Sequence, residues 1–372
     1  MTAPDPVAPL GVAVVGCGSI SDQYLTNLTS FPEVSVLFCA DLDVDRAAAQ
    51  AARYGVPASG TFGQALEHPG VELVVNLTVP AAHVEVASAA LEAGLHVWNE
   101  KPLTLDLEDG RALVAQAGRV GRRLGCAPDT VLGTGFQAAR RLIDAGAIGT
   151  PLTALALVQE PGPDRWHPNP AFLFQRGAGP LFDLGPYYLT VLASLFGPAH
   201  RVGAVGRQAL TTRRIVAGDR AGTEFRVEVP THVSALVEYA GGPAATLLFS
   251  FDSPLRRHGF VEVTGTEATL ALPDPNHFAG EVRIRDRGDE EWRVAAPPVP
   301  SAGRGLGVVD MVRSLRAGTP HRASGELGLH VLELMTAIER SAAAGEFDTV
   351  RGSFPMPEPL PPGWAPGTAT GS

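Results

Sequence analysis

The chain has 372 residues, 45% of them hydrophobic and 18% charged, a composition that supplies packed cores and excludes disorder over most of its length. That length exceeds one ordinary core and predicts two domains. The 29 basic residues stand against 39 acidic ones, and the net charge of −10 repels nucleic-acid backbones and anionic membranes, so neither is expected as a partner.

No apolar run reaches the roughly 18 residues that a membrane helix needs. Residues 1–9 lack the basic and apolar stretches of a secretory signal. Cys17, Cys39 and Cys126 are widely spaced in apolar, strand-like contexts, without the pairing of a zinc site or a disulfide framework. They read as core thiols of a reducing compartment, and the expected location is the cytoplasm.

From residue 11 to about residue 127, short β-branched runs alternate with helical segments, the pattern of a parallel sheet covered by helices. Strands are predicted over 12–15, 34–40, 71–77 and 96–98, and helices over 45–54, 82–93 and 106–117, the first two of them stopping at a glycine. A helix over 131–145 follows. The rhythm then changes to long strands, over 152–159, 234–239, 244–251 and 259–265, with few helices between them. A last helix is predicted over 327–344. The expected fold is α/β: an N-terminal Rossmann doubly wound parallel sheet over 1–128, then an α+β domain over 129–355 with a large, mostly antiparallel open sheet. Residues 356–372, rich in Pro, Gly and small residues, read as a mobile tail. One apolar face of the open sheet would be covered by another subunit, giving a homodimer or homotetramer.

Gly16, Cys17, Gly18, Ser19, Ile20 and Ser21 fall between the first strand and a helix, a dinucleotide fingerprint with serine in the last glycine position. Gly16 permits the tight turn, Gly18 lets the backbone approach a pyrophosphate, and the amides of Ser19 and Ile20 open the helix toward its charge. Asp41 ends the second strand where a carboxylate takes the ribose hydroxyls, which selects NAD over NADP; capping of the next helix is the competing role and is left to Asp43 and Asp45. The loop Arg165-Trp166-His167-Pro168-Asn169-Pro170, with Arg176 beyond it, offers aromatic faces and planar donors suited to a sugar, so Trp166, His167 and Arg176 are candidate substrate contacts. No histidine shows metal-ligand spacing, and no metal is expected.

Glu100-Lys101-Pro102 after the fourth predicted strand, with residues 90–97 before it, Gly146-Ala147-Ile148-Gly149, and Gly177 to Gly185, resembles the Gfo/Idh/MocA family of oxidoreductases across roughly residues 11–200. The resemblance implies that Lys101 points at nicotinamide and substrate, with Glu100 beside the cofactor. An ammonium there eases the loss of a hydroxyl proton as hydride departs. Thr78 and Pro80, in a variant of the family's T-P-x-x-x-H element, are implied to line the nicotinamide pocket; His83 ends that element, as a packing residue or a ligand contact.

Where most members carry a histidine four residues after an aspartate, this chain has Asp183 and then Tyr187. Positions four apart share a helix face, and a phenol beside an ammonium shifts toward phenolate, a usable acid or base. Tyr188, about 100° round the helix, is expected against the core. Asp183 has helix capping as its competing role. The implied activity is an NAD-dependent dehydrogenase acting on a hydroxyl or ketone of a sugar, inositol or related carbohydrate-like molecule. Two alternatives stand beside it: a glycoside hydrolase or lyase that oxidises transiently with tightly bound NAD, and a non-enzymatic NAD-binding sensor.

Overall fold

In the computed structural model, which describes residues 8–368, the chain forms two compact units. The first comprises residues up to Leu132, Ser301–Leu329 and the chain from Leu360; the second comprises Gly133–Pro300 and His330–Pro359. Most of the opening segment read for a targeting signal, residues 1–7, and the end of the tail, 369–372, lie outside the described residues.

The first unit runs β1 (Leu10–Val15), α1 (Ser21–Leu28), β2 (Val34–Ala40), α2 (Val44–Tyr54), β3 (Ala58–Gly60), α3 (Phe62–Glu67), β4 (Leu73–Asn76), α4 (His83–Glu92), β5 (His96–Asn99), α5 (Leu107–Val120) and β6 (Leu124–Cys126). Its six strands are ordered β3-β2-β1-β4-β5-β6, and every pair is parallel. This is the Rossmann order, with its switch point between β1 and β4. The central strands β1 and β4 are nearly continuous apolar runs because helices bury both faces: Val12, Ala13, Val14, Leu73, Val74 and Val75 have no exposed surface. Asp43 caps α2 by accepting the Arg46 amide, and Gly55, at φ +69°, ends it.

The second unit opens with α6 (Thr134–Asp144), β7 (Pro151–Gln159), α7 (Gly179–Phe196), β8 (Ala199–Arg207), the small hairpin β9 (Thr212–Arg214) and β10 (Glu224–Arg226), β11 (His232–Tyr239), β12 (Ala244–Ser250), β13 (Arg257–Gly265), β14 (Ala268–Leu272), β15 (Val282–Asp286) and β16 (Arg293–Ala296). The predicted helix over 131–145 is divided: a 3₁₀ turn, Asp129–Leu132, precedes α6, and Gly133 at φ −64°, ψ 152° breaks the two apart. Later in the chain come α8 (Leu306–Ala317), which lies in the first unit's Ser301–Leu329 stretch, then α9 (Gly325–Ala344) and β17 (Asp348–Thr349).

Nine strands form one sheet, β16-β15-β14-β13-β7-β12-β11-β8-β17, antiparallel except for the β7–β12 pair. One face carries Ala156, Val237, Leu247, Phe249 and Val263, all buried, and α7 lies on it. On the other face two cross-strand rows run Glu262, Leu155, Thr246, Leu236, Gly203 and Phe260, Leu157, Leu248, Ser234, Val205. Leu155, Leu236 and Val205 of these rows are exposed.

The tail departs from expectation. Leu360 is buried, and the Trp364 ring lies 5.0 Å under the guanidinium of Arg313, which pairs with Glu33 and donates to the carbonyls of Ala365 and Thr368. Composition misses this because one aromatic and one leucine suffice to seat a proline-rich segment that has little conformational freedom to lose.

A candidate NAD site and a candidate substrate site

The Gly16–Ser21 segment leads from the end of β1 into α1. Gly16 has φ +96°, and a Cβ there would come within 2.7 Å of the Leu77 and Thr78 backbone, so only glycine allows β1 and β4 to approach in this way. A Cβ on Gly18 would meet open space, which leaves its backbone accessible to a pyrophosphate. Ser19 and Ile20 form the turn into α1, where Ser21 Oγ donates to the Gly18 carbonyl at 2.6 Å. The helix therefore starts with its amides facing the loop.

Asp41 closes this site from β2. Its Oδ2 accepts the Cys17 amide at 2.7 Å and its Oδ1 the Asp43 amide at 2.9 Å, and each oxygen keeps a lone pair for a ribose hydroxyl. Arg46 stands 4.0 Å away but is bound to Asp43 at 3.0 Å, so its charge is already matched. Capping falls to Asp43, as the sequence suggests. Cys17, Cys39 and Cys126 are buried free thiols.

Beyond β4, Thr78 is partly buried and Pro80 exposed at the start of a 3₁₀ turn. The Thr78 amide and hydroxyl both donate to Asn76 Oδ1, and Asn76 in turn donates to Asn99 Oδ1 at 2.6 Å. After β5, Glu100 is 7% exposed: its Oε1 accepts the Tyr24 hydroxyl at 2.9 Å and its Oε2 the Lys101 amide at 2.8 Å. Trp98 Nε1 donates to the same Tyr24 oxygen. Glu100, expected beside the cofactor, is thus occupied by protein donors and positions Lys101 from behind. Lys101 is partly buried, and the peptide bond that follows it, to Pro102, is cis.

In the second unit, Asp183 and Tyr187 stand one turn apart on α7. The helix begins at Gly179, so Asp183 is inside it and is not its cap. Tyr188 turns to the sheet: its ring meets Phe249 edge-on at 5.8 Å, and its oxygen accepts the Gly259 amide at 3.0 Å. Burial raises its pKa.

Trp166 is exposed and meets His167 edge-on at 5.5 Å; Arg176 is exposed and faces Glu339 of α9. A buried node holds the aromatic loop. Arg213 pairs with Asp164 at 2.7 Å and with Asp252, donates to the Pro161 and Phe251 carbonyls, and stacks over Phe174. A cavity of about 650 Å³ beside the node is lined by Arg165, Leu210 and Val216 among others. At the end of β7, buried Glu160 lies 3.4 Å from His258, and its carboxyl is pushed up in pKa first by burial, with Asp183 and Asp164 adding repulsion against His258 and Arg256. Sequence reasoning missed Arg213, Glu160 and His258. The available signal for Glu160 was a lone acid ending a long apolar strand before a proline.

Comparison with known proteins fits both halves. An "Oxidoreductase family, NAD-binding Rossmann fold" profile matches residues 10–127, and a "GFO/IDH/MocA C-terminal domain" profile matches 136–271. Inositol 2-dehydrogenase 3 of Saccharopolyspora erythraea is 31% identical over 76% of this chain and 80% of its own length. The chain belongs to the GFO/IDH/MocA family. It is an oxidoreductase with an NAD-binding Rossmann unit, as the motifs imply. Trans-1,2-dihydrobenzene-1,2-diol dehydrogenase of Bos taurus is 27% identical over 77% of this chain and 80% of its own. An NAD binding oxidoreductase from Klebsiella pneumoniae superposes with a TM-score of 0.80 at 25% identity, over 93% of this chain and all of the other. Among the described residues of this oxidoreductase, no helix is long and apolar enough to cross a membrane, and no group of three or more His, Cys, Asp or Glu is placed to hold a metal.

Proposed function

We propose that this oxidoreductase is an NAD-dependent dehydrogenase that interconverts a secondary hydroxyl and a ketone on a sugar, inositol or related carbohydrate-like molecule. The observation that carries the proposal is Lys101, fixed by its own backbone to Glu100 at the carboxyl end of β5, on the edge of the sheet where doubly wound folds bind their ligands. Relatives named for an inositol and a dihydrodiol support the substrate class.

NAD, when bound, supplies the hydride acceptor. The Gly16–Ile20 loop holds its pyrophosphate and Asp41 its ribose, and a carboxylate at that point disfavours a 2′-phosphate, so NAD is preferred to NADP. The Lys101 ammonium stabilises the alkoxide that forms as the hydroxyl loses its proton. Tyr187 carries that proton, with Asp183 on the same face orienting it. Trp166, His167 and Arg176 hold the rest of the substrate. The exposed rows of the nine-stranded sheet support assembly as a homodimer or homotetramer through that face.

The deciding assay incubates the pure protein with NAD and a panel of sugars, inositols and vicinal diols and follows NADH absorbance. NADH accumulating with at least one polyol is the expected result. Product without NADH would instead mark a recycling hydrolase or lyase, and no reaction across the panel would count against the substrate class.

A further inference from the structure

His83, the first residue of α4, has no exposed surface. Its Nδ1 lies 2.7 Å from the carbonyl oxygen of Pro102, and its Nε2 lies 3.1 Å from that of Thr78. The ring therefore bridges the loop carrying Thr78 and the loop carrying Lys101. A carbonyl oxygen only accepts, so meeting both contacts takes two ring N–H groups, which imidazole has only as the cation.

Burial is the largest influence on the ring and drives its pKa below the ordinary value; Lys101 acts in the same direction, while the two carbonyls and Glu100 favour the proton. In the neutral ring there is one N–H, and the shorter contact places it on Nδ1, toward Pro102. Nε2 then turns a lone pair on the Thr78 oxygen, a contact that becomes a hydrogen bond only when the ring gains its second proton. The Thr78 amide and hydroxyl are already committed to Asn76, whose Nδ2 also donates to the His83 carbonyl at 3.2 Å, so the Thr78 carbonyl is the group through which the His83 ring itself reaches this loop.

We propose that His83 is a positioning residue: through Nδ1–H it ties the Pro102 loop to α4, and it grips the Thr78 loop only when Nε2 is protonated. Buried itself, it acts through Lys101 and Thr78. Its effect on cofactor binding rests on the reading of those residues given above, whereas the tie rests on its own geometry.

Two measurements on the full chain test this. Nitrogen-15 spectra of labelled histidine between pH 5 and 8 should show His83 protonated on Nδ1 throughout, with Nε2 gaining its proton in acid; a ring bare at Nδ1 overturns the proposal. Affinities for NADH and for ADP-ribose, which lacks nicotinamide, are then compared by fluorescence titration. In the wild type, the preference for NADH should rise as pH falls through the ring's own titration. His83→Leu should weaken NADH about tenfold, the scale of one lost buried hydrogen bond, and leave ADP-ribose within about twofold. His83→Asn, which keeps one donor for Pro102, should recover part of that loss with no pH dependence. A flat wild-type ratio beside a titrating ring overturns the gate, and those two wild-type readings decide even if the leucine variant fails to fold. Failure of the nicotinamide reading shows itself separately, as a Lys101→Met chain that turns over as fast as the wild type while the spectra are unchanged.

Discussion

Glu100 holds Lys101 by its backbone: Oε2 accepts the Lys101 amide at 2.8 Å, while Oε1 accepts the Tyr24 hydroxyl. A glutamine has one oxygen for these two donors and turns an N–H toward the other. Glu100→Gln should therefore lower kcat while leaving ADP-ribose affinity intact, with a stability loss of about 1–3 kcal/mol for the mismatched buried donor. Unchanged kcat in a folded variant would show that Lys101 needs no such support.

If Lys101 and Tyr187 manage the proton, Lys101→Met and Tyr187→Phe should keep NAD affinity and lose roughly 100-fold to 10,000-fold in turnover, the usual contribution of general acid–base groups. Tyr188→Phe is the control. Its lost hydroxyl strands the Gly259 amide, so it should reduce Tm and spare kcat. Loss of turnover in Tyr188→Phe with normal turnover in Tyr187→Phe would move the assignment by one residue.

Cofactor choice is expected to sit at Asp41. The wild type should bind NAD more tightly than NADP, and Asp41→Ala should narrow the gap by about tenfold or more, because it removes the repulsion of a 2′-phosphate and frees Arg46 from one carboxylate. NAD affinity itself should also fall, since the Cys17 amide loses its acceptor. Titration of both cofactors into both proteins checks this, and an unaltered ratio would remove Asp41 from the specificity argument.

Asp129 supplies a pH prediction. It is fully buried, its Oδ2 accepts the amides of Gly305 and Gly307, and burial is the main cause of a carboxyl pKa of about 6. A folded pKa above the unfolded one favours the fold below about pH 4, and the advantage is lost as pH rises through 6. Asparagine keeps an acceptor for both amides and carries no charge. Relative to wild type, Asp129→Asn should gain stability between pH 5 and 8, on the order of 3 kcal/mol at most. Parallel stability curves for the two proteins over that range would contradict it.

Assembly through the open sheet, as proposed above, should fail when the exposed leucines of its outer face are replaced by charges. Leu155 and Leu236 lie in one cross-strand row, on either side of Thr246, and both are exposed. Leu155→Lys with Leu236→Lys should convert a dimer or tetramer to a smaller species in light scattering, with NAD affinity retained. A wild type that is already monomeric at micromolar concentration would rule out this interface.

Much of this architecture is readable in the sequence where the signal is local. Strands β1, β2 and β4 of the first sheet are short apolar runs, helices α2 and α5 stop at glycines, and the Gly16 loop and Glu100-Lys101-Pro102 carry their chemistry in consecutive residues. Where partners are distant, the sequence is silent. Helix α8 has Gly305 at its N-cap and no side-chain cap of its own; the carboxylate that binds its first amides is Asp129, 176 residues earlier. Arg213 reads as a surface charge in a hairpin until the fold brings Asp164 and Asp252 to it. Strand β3 has three half-buried residues and no apolar run to find. The role of His83 likewise depends on a carbonyl 19 residues away.

The placement of Gly307 has a consequence for the chain's birth. A Cβ there would lie 1.9 Å from the Trp98 ring, so α8 covers β5 at the closest possible range, and yet it belongs to a stretch that begins at Ser301. A ribosome adding about 5–20 residues per second exposes β1–β6 on the order of ten seconds or more before α8 emerges. Through that interval Trp98 and the β6 edge wait without the cover on which they depend. Nascent-chain chaperones should therefore hold this protein until the segment around Gly307 leaves the exit tunnel, and arrest of translation before that point should yield a sticky, protease-sensitive fragment in place of a free Rossmann domain.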